Sequence, residues 1–340
     1  MDHRGHLRLL ACDSGREFCR RVANELVTIV QGEVDAPLHT MVDSQEIFFA
    51  NWEVKTVLNE SLRGADVYVF QLVDDPESER SVNDNLMALL TAVDAARQAD
   101  ADRITAVVPQ FPYARQERKK AREGITARQV ARFLEISGAQ NVLTLDLHSE
   151  AVAGFFERAT LDNLRAEGVL LRAFTESNGL ENLVVVSPDI GSADRARSLS
   201  RFLGCEIAIC DKERDYSKPG VVKSTRLVGE VRGRNVLMVD DMIATGGSIL
   251  EAAAVCKRAG AASVTLGCTH AFMNGEAVAK LERAWKEGTF TRLLGTDTVV
   301  RGEAFIQAHP WFKEVTVAPL VAQVVYNLNR RRSVSRLMML

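Results

Sequence analysis

The stretch Asn235–Ser248 constrains the fold of this chain more than any other segment. An apolar run that is typical of a buried strand ends on two adjacent carboxylates, Asp240 and Asp241. A short glycine-containing loop then opens a helical pattern over Ile249–Ala259. A strand followed at once by a helix is the repeating unit of α/β folds with parallel sheets. The same alternation continues along the 340-residue chain, which predicts the α/β class.

Short apolar runs are predicted as strands and amphipathic patterns as helices. The predicted strands are Leu7–Ala11, Val67–Gln71, Ile104–Pro109, Val142–Leu147, Leu183–Ser187, Glu206–Cys210, Val236–Asp240, Val264–Thr269, Arg292–Thr296 and Glu314–Val317. The predicted helices are Arg16–Ile29, Leu86–Gln98, Ala127–Ser137, Ala193–Leu203, Ser248–Ala259 and Gly275–Lys286. Each helix is long enough to cover one face of a sheet.

The length of the chain predicts two domains, each with its own core. An echo between Asn141–His148 and Asn235–Met242, both apolar runs that contain a terminal acid, suggests that the domains are related. The boundary is expected near Leu161–Glu167, which gives an N-terminal domain over 1–165 and a C-terminal domain over 166–326. No linker is rich in proline, glycine or serine, so the domains are expected to pack tightly.

Composition excludes several classes of protein. A net charge of −3 argues against binding of nucleic acid over the whole surface. No segment approaches the roughly 20 apolar residues of a membrane span. The six cysteines show no zinc-type spacing and lie mostly in apolar segments, which indicates reduced core thiols. We therefore expect a cytoplasmic protein without nucleic-acid or membrane partners.

The loop after the two carboxylates, Ala244–Ser248, has the composition of a phosphate site; we call it the glycine loop. Glycines let the backbone approach a ligand closely, and the N–H groups at a helix start bind anions. Thr245 and Ser248 add hydroxyl donors, and Ser248 is a good N-cap. Carboxylates beside such a cradle suit the vicinal hydroxyls of a phosphorylated sugar. An ordinary capped turn is the alternative, and the register of strand, acids and loop makes it the less favoured one.

Ligands of open parallel sheets bind beyond the carboxyl ends of the strands. The predicted strand Ile104–Pro109 is followed by a basic segment that is either a solvated loop or a clamp for a polyphosphate. At the ends of two others, His148 and Asp189 could meet a Mg²⁺ ion that also holds phosphate oxygens, although a lone histidine is more often structural. The cations of the basic segment are Arg115, Arg118, Lys119, Lys120 and Arg122.

Two further groups are candidates for contacts with a nucleotide. Lys212 and Arg214 would project to the same side of an extended chain and could stabilise the charge of phosphoryl transfer, although charged loops are common. Phe49, Asn51 and Glu53 offer an aromatic face, an amide and a carboxylate that could stack on a base and bind its edge. Taken without context, the second group is more typical of a partly buried strand.

Together these segments resemble the ribose-phosphate diphosphokinase family, also called phosphoribosyl pyrophosphate (PRPP) synthetases. The resemblance covers nearly the full chain, from about Leu7 to Leu337. It implies two phosphoribosyltransferase-like domains, each a mainly parallel sheet flanked by helices, with a final segment, about 327–340, that packs on the N-terminal domain. The segments that carry it are Ser81–Met87, Ile104–Pro109, Tyr113–Gln116, Gly154–Phe156, Val186–Asp189, Asp211–Arg214 and Val239–Met242.

The resemblance implies transfer of the diphosphoryl group of MgATP to the anomeric hydroxyl of ribose 5-phosphate, giving PRPP and AMP. It also implies a homo-oligomer, a hexamer built from dimers. The implied roles are adenine binding from a neighbouring subunit for Phe49, Asn51 and Glu53; ATP binding for Arg115 and Gln116; magnesium-linked positions at His148 and Asp189; catalysis by Lys212 and Arg214; and ribose 5-phosphate binding by Arg214, Asp240, Asp241, Ala244, Thr245, Gly246, Gly247 and Ser248.

The sequence also departs from the pattern of that family. Ala244 stands where an aspartate is usual, and Asp194-Arg195 replaces a Lys-Arg pair. Two alternatives are therefore open. A phosphoribosyltransferase would share the glycine loop but would normally have one domain and no ATP site. A non-catalytic regulatory homologue would keep the fold and lose active-site residues, whereas Lys212, Arg214 and the glycine loop are retained here.

Overall fold

The computed structural model describes residues 4–31, 40–119, 121–214 and 222–337, without the side chains of residues 40, 178, 212–214 and 222–224. The chain divides into two compact units. Unit 1 holds the described residues up to Arg165 and those from Thr316 onward, and unit 2 holds Ala166–Val315. The chain returns to unit 1 at Thr316 rather than at about residue 327, because one continuous helix, Ala318–Asn329, belongs to unit 1.

Unit 1 is built on a six-stranded sheet whose neighbouring strands are all parallel. In spatial order its strands are β2 (Thr40–Met41), β1 (His6–Ala11), β5 (Ala65–Phe70), β6 (Arg103–Val107), β7 (Asn141–Leu145) and β8 (Thr160–Leu164). A separate antiparallel hairpin joins β3 (Ser44–Phe48) to β4 (Val54–Leu58). The helices are α1 (Arg16–Val30), α2 (Val82–Gln98), α3 (Thr126–Ser137) and α9 (Ala318–Asn329).

Unit 2 is built on a seven-stranded sheet that is parallel except at one edge. In spatial order its strands are β11 (Val222–Val228), β10 (Glu206–Arg214), β9 (Leu183–Ser187), β12 (Asn235–Met242), β13 (Ser263–His270), β14 (Arg292–Thr296) and β15 (Phe312–Val315). Its helices are α4 (Glu167–Asn178), α5 (Ala193–Leu203), α6 (Gly247–Arg258), α7 (Ala277–Lys286) and α8 (Glu303–Ala308). No helix among the described residues of either unit is long and apolar enough to cross a membrane.

The central strands of unit 2 are apolar throughout because both faces of the sheet are covered. Along β12, Val236 and Met238 belong to one core cluster, whereas Leu237 and Val239 belong to another. Successive side chains of a strand point to opposite faces, so a continuous apolar run fills two cores at once. This is the physical reason why the run before Asp240 could be identified as a buried strand from sequence.

Several elements differ from the sequence expectations. Helix α2 begins at Val82 instead of Leu86, because Ser81 and Asp84 form a capping box: Asp84 N donates to Ser81 Oγ (3.2 Å) and Ser81 N donates to Asp84 Oδ2 (2.9 Å). The strand expected over Glu206–Cys210 continues to Arg214 because it pairs with an antiparallel neighbour. The elements that the sequence patterns did not predict are β2, β3, β4, β8, β11, α4, α8 and α9.

Helix α9 is tied to the sheet of unit 1 by a buried polar cluster around Asp66. Asn329 Nδ2 donates to Asp66 Oδ2 (3.0 Å) and to Gly5 O (3.2 Å). Tyr68 OH donates to Asp66 Oδ2 (3.1 Å) and lies 3.3 Å from Val325 O. Burial raises the pKa of Asp66, and the hydrogen bonds from Asn329 and Tyr68 oppose that rise. The cluster therefore adds directional hydrogen bonds to the apolar packing of α9 on the sheet and fixes the position of the helix.

We expect Asn329→Ala to lower the free energy of unfolding by about 1–3 kcal/mol, because the buried Asp66 carboxyl group loses a donor. Urea unfolding at pH 7 measures the change. Asn24→Ala, at an exposed asparagine of α1, is the matched control and should stay within about 0.5 kcal/mol. Equal losses for the two variants would contradict the role given to the Asp66 cluster.

Candidate functional site

The order of the strands in unit 2 creates a crevice between β9 and β12. Within the sheet, β10 lies next to β9 on one side, and β12 lies next to β9 on the other side. Open α/β sheets bind ligands outside the carboxyl ends of strands at such a switch point. Asp189 comes directly after β9, and Asp240 and Asp241 lie at the end of β12, so three sequence-predicted carboxylates lie at this position.

Ser192 connects two of these acids. Its backbone N–H donates to Asp189 Oδ1 (3.0 Å), and its hydroxyl donates to Asp240 Oδ1 (3.0 Å). The same Asp240 oxygen accepts a hydrogen bond from Asp241 N (3.0 Å). The structure thus brings Asp189 and Asp240 together. Sequence reasoning missed Ser192, for which the only signal was a serine three residues after a strand-end acid.

The three acids repel one another electrostatically. Burial is the main cause that raises the pKa of Asp240 to about 6, and the negative charges of Asp241 and Asp189 raise it further. Hydrogen bonds from Asp241 N and Ser192 oppose the rise. A carboxylate held in this state gains from a nearby cation or from hydroxyl donors of a ligand.

The carboxylates around Asp240 fit a Mg²⁺ ion that takes few protein ligands and completes its shell with waters and phosphate oxygens. Within the described ranges, no group of three or more His, Cys, Asp or Glu side chains could by itself hold a metal ion. Mg²⁺ does not require one, since it commonly takes one or two carboxylates together with waters and substrate phosphates. Asp189, beside a carboxyl group whose pKa is raised by burial and by neighbouring charges, matches that mode.

The glycine loop joins β12 to α6. Gly246 has φ +74 and is the N-cap of α6, a conformation that glycine adopts without steric cost. The helix therefore begins at Gly247, and Ser248 is its second residue, not the N-cap that the sequence suggested. Thr245, Gly247 and Ser248 are exposed. The first-turn N–H groups of an α-helix have no intrahelical acceptor, so the loop presents a site for an anion.

Lys212 and Arg214 lie near the end of β10, which pairs with β11 in antiparallel register. The pairing register shifts between Glu213 and Arg214. The side chains of both cations lie outside the described residues, so their roles stay predictions. Ala244 is half-buried and its carbonyl accepts a hydrogen bond from Asn274 N (2.8 Å).

The reversed charge at Asp194 has a local explanation. Asp194 lies in the first turn of α5, where an acid is favoured by the helix dipole, and it pairs with Arg197 (2.9 Å). Its side chain is 96% exposed. Arg195, in contrast, pairs with the buried Glu167 at 3.0 Å. The substitution pattern therefore suits the surface of α5.

In unit 1, Phe49–Glu53 forms the turn of the β3–β4 hairpin instead of a strand. Phe49 N donates to Glu53 O (2.8 Å), and Glu53 N donates to Asn51 Oδ1 (3.3 Å). Every residue of the turn is exposed, with Phe49 at 47%. The expectation of a partly buried strand is wrong because these residues connect two strands of a hairpin that is separate from the main sheet. An exposed aromatic ring, amide and carboxylate remain available to a ligand.

The basic segment comes after β6 as expected. Arg115 and Gln116 are both exposed at its start, and Gln116 Oε1 accepts a hydrogen bond from Thr126 Oγ1 (2.6 Å) at the start of α3. Tyr113 has φ +59 and its hydroxyl donates to Asn83 Oδ1. Lys120 lies outside the described residues. The segment is thus anchored at Tyr113 and Gln116, and its other cations, Arg118, Lys119 and Arg122, lie at the surface.

His148 comes after β7 and is exposed. Two residues earlier, the buried Asp146 has φ +40 and lies 3.7 Å from Arg165. The magnesium-linked role of His148 stays a prediction.

We expect Asp240→Asn to stabilise the ligand-free protein at pH 8 and to weaken phosphosugar binding. The folded-state pKa of Asp240, about 6, lies above the ordinary value of 3.8. Protonated Asp240 therefore stabilises the folded wild-type protein fully below pH 3.8, and this contribution is lost as the pH rises through 6. Above pH 7 the ionised acid therefore costs up to about 3 kcal/mol, and the amide removes that cost.

Urea unfolding of both proteins at pH 8 and pH 5 tests this expectation. The gain in stability should shrink at the lower pH. Glu181→Gln, at an exposed acid of unit 2 before β9, is the control and should change neither stability nor binding. An Asp240→Asn protein no more stable than the wild type at pH 8 would refute the electrostatic account.

Comparisons with known proteins cover most of the chain. Residues 7–138 match the family described as the N-terminal domain of ribose phosphate pyrophosphokinase, and residues 165–298 match the phosphoribosyl transferase domain. A ribose-phosphate pyrophosphokinase of Ralstonia nicotianae is 39% identical over 291 residues, or 85% of this chain and 88% of that protein. One of Hyphomonas neptunium is 36% identical over 334 residues, or 97% of this chain and 99% of that protein.

The fold is similar to that of a solved structure. A crystal structure of phosphoribosylpyrophosphate synthetase from Mycobacterium smegmatis superposes with a TM-score of 0.81 and 31% sequence identity. The superposition covers 95% of this chain and 98% of that chain.

Proposed function

Because the chain belongs to the ribose-phosphate pyrophosphokinase family, we propose that it transfers the diphosphoryl group of MgATP to the anomeric hydroxyl of ribose 5-phosphate. The products are PRPP and AMP, which places the enzyme in nucleotide biosynthesis. The observation that carries this proposal is the meeting of Asp189, Asp240 and the glycine loop at the switch point of unit 2.

Ribose 5-phosphate would bind across that crevice. The backbone N–H groups of Gly247 and Ser248, at the start of α6, would hold the phosphate together with the Thr245 hydroxyl. Asp240 and Asp241 would accept hydrogen bonds from the ribose hydroxyls, and such donors favour the ionised form of Asp240. With Ala244 in the loop, the sugar is held by fewer carboxylates than in the pattern of the resembling family.

The nucleotide would be bound by cations and by the hairpin turn. Arg115 and Gln116 are the candidates for the ATP phosphates, and Phe49, Asn51 and Glu53 are the candidates for adenine. Asp189 would hold a Mg²⁺ ion that neutralises charge on the phosphates, and His148 is a separate candidate for a magnesium-linked position.

In-line attack by the anomeric oxygen on the β-phosphorus breaks its bond to the α-phosphate, and AMP leaves. As this bond forms, the attacking hydroxyl releases its proton to solvent, and the leaving AMP keeps the oxygen that bridged the α- and β-phosphorus atoms. Lys212 and Arg214 would stabilise the negative charge that spreads over the phosphoryl oxygens, and no covalent intermediate with the protein is needed.

Two other functions are less favoured. A phosphoribosyltransferase would not need the N-terminal family domain that residues 7–138 match. A non-catalytic regulatory homologue is not favoured, since the similar proteins bear the name of the enzyme and this chain keeps the predicted catalytic cations.

We also propose a homo-oligomer, a hexamer built from dimers, in which the exposed turn Phe49–Glu53 serves a neighbouring subunit. A location in the cytoplasm is consistent with the cysteines, all six of which are free thiols.

Lys212→Ala should lower kcat for AMP formation by about 100-fold or more while leaving the affinity for ribose 5-phosphate within about threefold. Steady-state assay with Mg²⁺ and ATP gives the first quantity, and calorimetric titration gives the second. Lys286→Ala, at an exposed lysine of α7, is the matched control and should retain wild-type turnover. Near-normal turnover of the Lys212 variant would remove Lys212 from the mechanism.

A further inference from the structure

The start of the glycine loop is hydrogen-bonded to the segment at the end of β13, His270–Asn274, which we call the support segment. Ile243 N donates to His270 O (2.9 Å), and Met273 N donates back to Ile243 O (2.9 Å). Asn274 N donates to Ala244 O (2.8 Å). The backbone of the loop entrance is therefore fixed by hydrogen bonds to a piece of chain that is itself no longer part of the sheet beyond His270.

Irregular backbone of this kind needs its own partners. Met273 has φ +50, a conformation that non-glycine residues rarely adopt and that persists only where the surroundings impose it. Arg301 supplies part of that constraint. One guanidinium nitrogen, Nη2, donates to Ala271 O (3.2 Å) and to Phe272 O. Both carbonyls belong to the support segment.

The Arg301 side chain is built into the interior of unit 2. The residue is 5% exposed, and its guanidinium lies over the Phe305 ring, 4.7 Å from the ring centroid. Its backbone N–H donates to Glu314 Oε2 (3.2 Å). The position is thus defined from the side of α8 and β15 as well as from the support segment.

A second tie holds the other end of the support segment. Thr298 Oγ1 donates to Thr269 O (2.8 Å) and lies 3.0 Å from His270 Nδ1. Thr296 Oγ1 also donates to Thr269 O (2.7 Å). These hydroxyls anchor β13 at Thr269, and Arg301 binds the next two carbonyls after His270, those of Ala271 and Phe272.

We propose that Arg301 is a positioning residue of the phosphosugar site, acting through Ala271 and Phe272 on the backbone of Ile243 and Ala244. The inference rests on the proposed function, because the glycine loop is taken as the place where the phosphate binds. Arginine suits this task since its planar, rigid group bonds backbone oxygens with little loss of freedom per hydrogen bond. A loop ordered before the ligand arrives does not have to be ordered by it.

Arg301→Met, which keeps an apolar stem and removes both hydrogen bonds, should raise the KM for ribose 5-phosphate by about 10-fold to 100-fold. The KM for ATP should change by less than about twofold. Arg301→Lys retains a cation without the planar group, and its KM for ribose 5-phosphate should lie between those of the wild type and Arg301→Met. Arg292→Met, at an exposed arginine of β14, is the control and should leave both constants unchanged.

Hydrogen exchange on the ligand-free proteins gives a readout that is independent of turnover. Peptides that cover Ile243–Ser248 should exchange faster in both Arg301 variants, whereas peptides from β9 should not. If Arg301→Met does not fold, Arg301→Lys carries the same comparison. Equal changes in both KM values, or unchanged exchange in the loop of an active variant, would overturn the inference. A wild-type protein without turnover whose variants still show the faster loop exchange would instead contradict the proposed function alone.

Discussion

The arrangement of the site depends on one constraint, the meeting of parallel strand ends at the switch point of unit 2. Strands β9 and β12 are neighbours, but the chain continues from β9 to β10 in one direction along the sheet and from β12 to β13 in the other. The segments that follow the two strands therefore lie side by side at the carboxyl ends of the strands. That edge receives Asp189 from β9, Asp240 and Asp241 from β12, and the first turn of α6. In the proposed function, these acids and the start of α6 face one ligand, a phosphosugar.

The same convergence makes the site costly for the folded protein. Burial and the crowding of negative charge raise the pKa of Asp240, so the ionised form that a sugar needs is disfavoured when no ligand is present. Ser192 offsets part of this cost by donating its hydroxyl to Asp240, while its backbone N–H is held by Asp189. Substrate and cation would supply the rest, which couples binding to local stability.

Much of this could be predicted from the sequence because the relevant signals are local. The alternation of apolar runs with helical patterns was sufficient for the α/β class, and the apolar run before Asp240 with the glycines after it was sufficient for the position of the glycine loop. The hairpin β3–β4 was missed because its strands are only half-buried and lack a clear apolar alternation. Helix α9 was missed because it is apolar on most faces and so lacks an amphipathic period.

Other features depend on residues distant in sequence and could not be inferred from a pattern. Ser192 gains its role only when β9 and β12 become neighbours, and Arg301 gains its role only when the chain after β14 reaches the support segment. Nothing in the spacing of either residue distinguishes it from an ordinary surface serine or arginine. Tertiary hydrogen bonds to backbone carbonyls carry no sequence signature of their own.

The most direct test of the proposed reaction is the nucleotide product formed by the purified wild-type chain with Mg²⁺, ATP and ribose 5-phosphate, measured with and without inorganic phosphate. Diphosphoryl transfer predicts AMP and PRPP in equal amounts, with no ADP. A folded protein that releases ADP, or that forms no AMP under either condition, would contradict the assignment of this reaction.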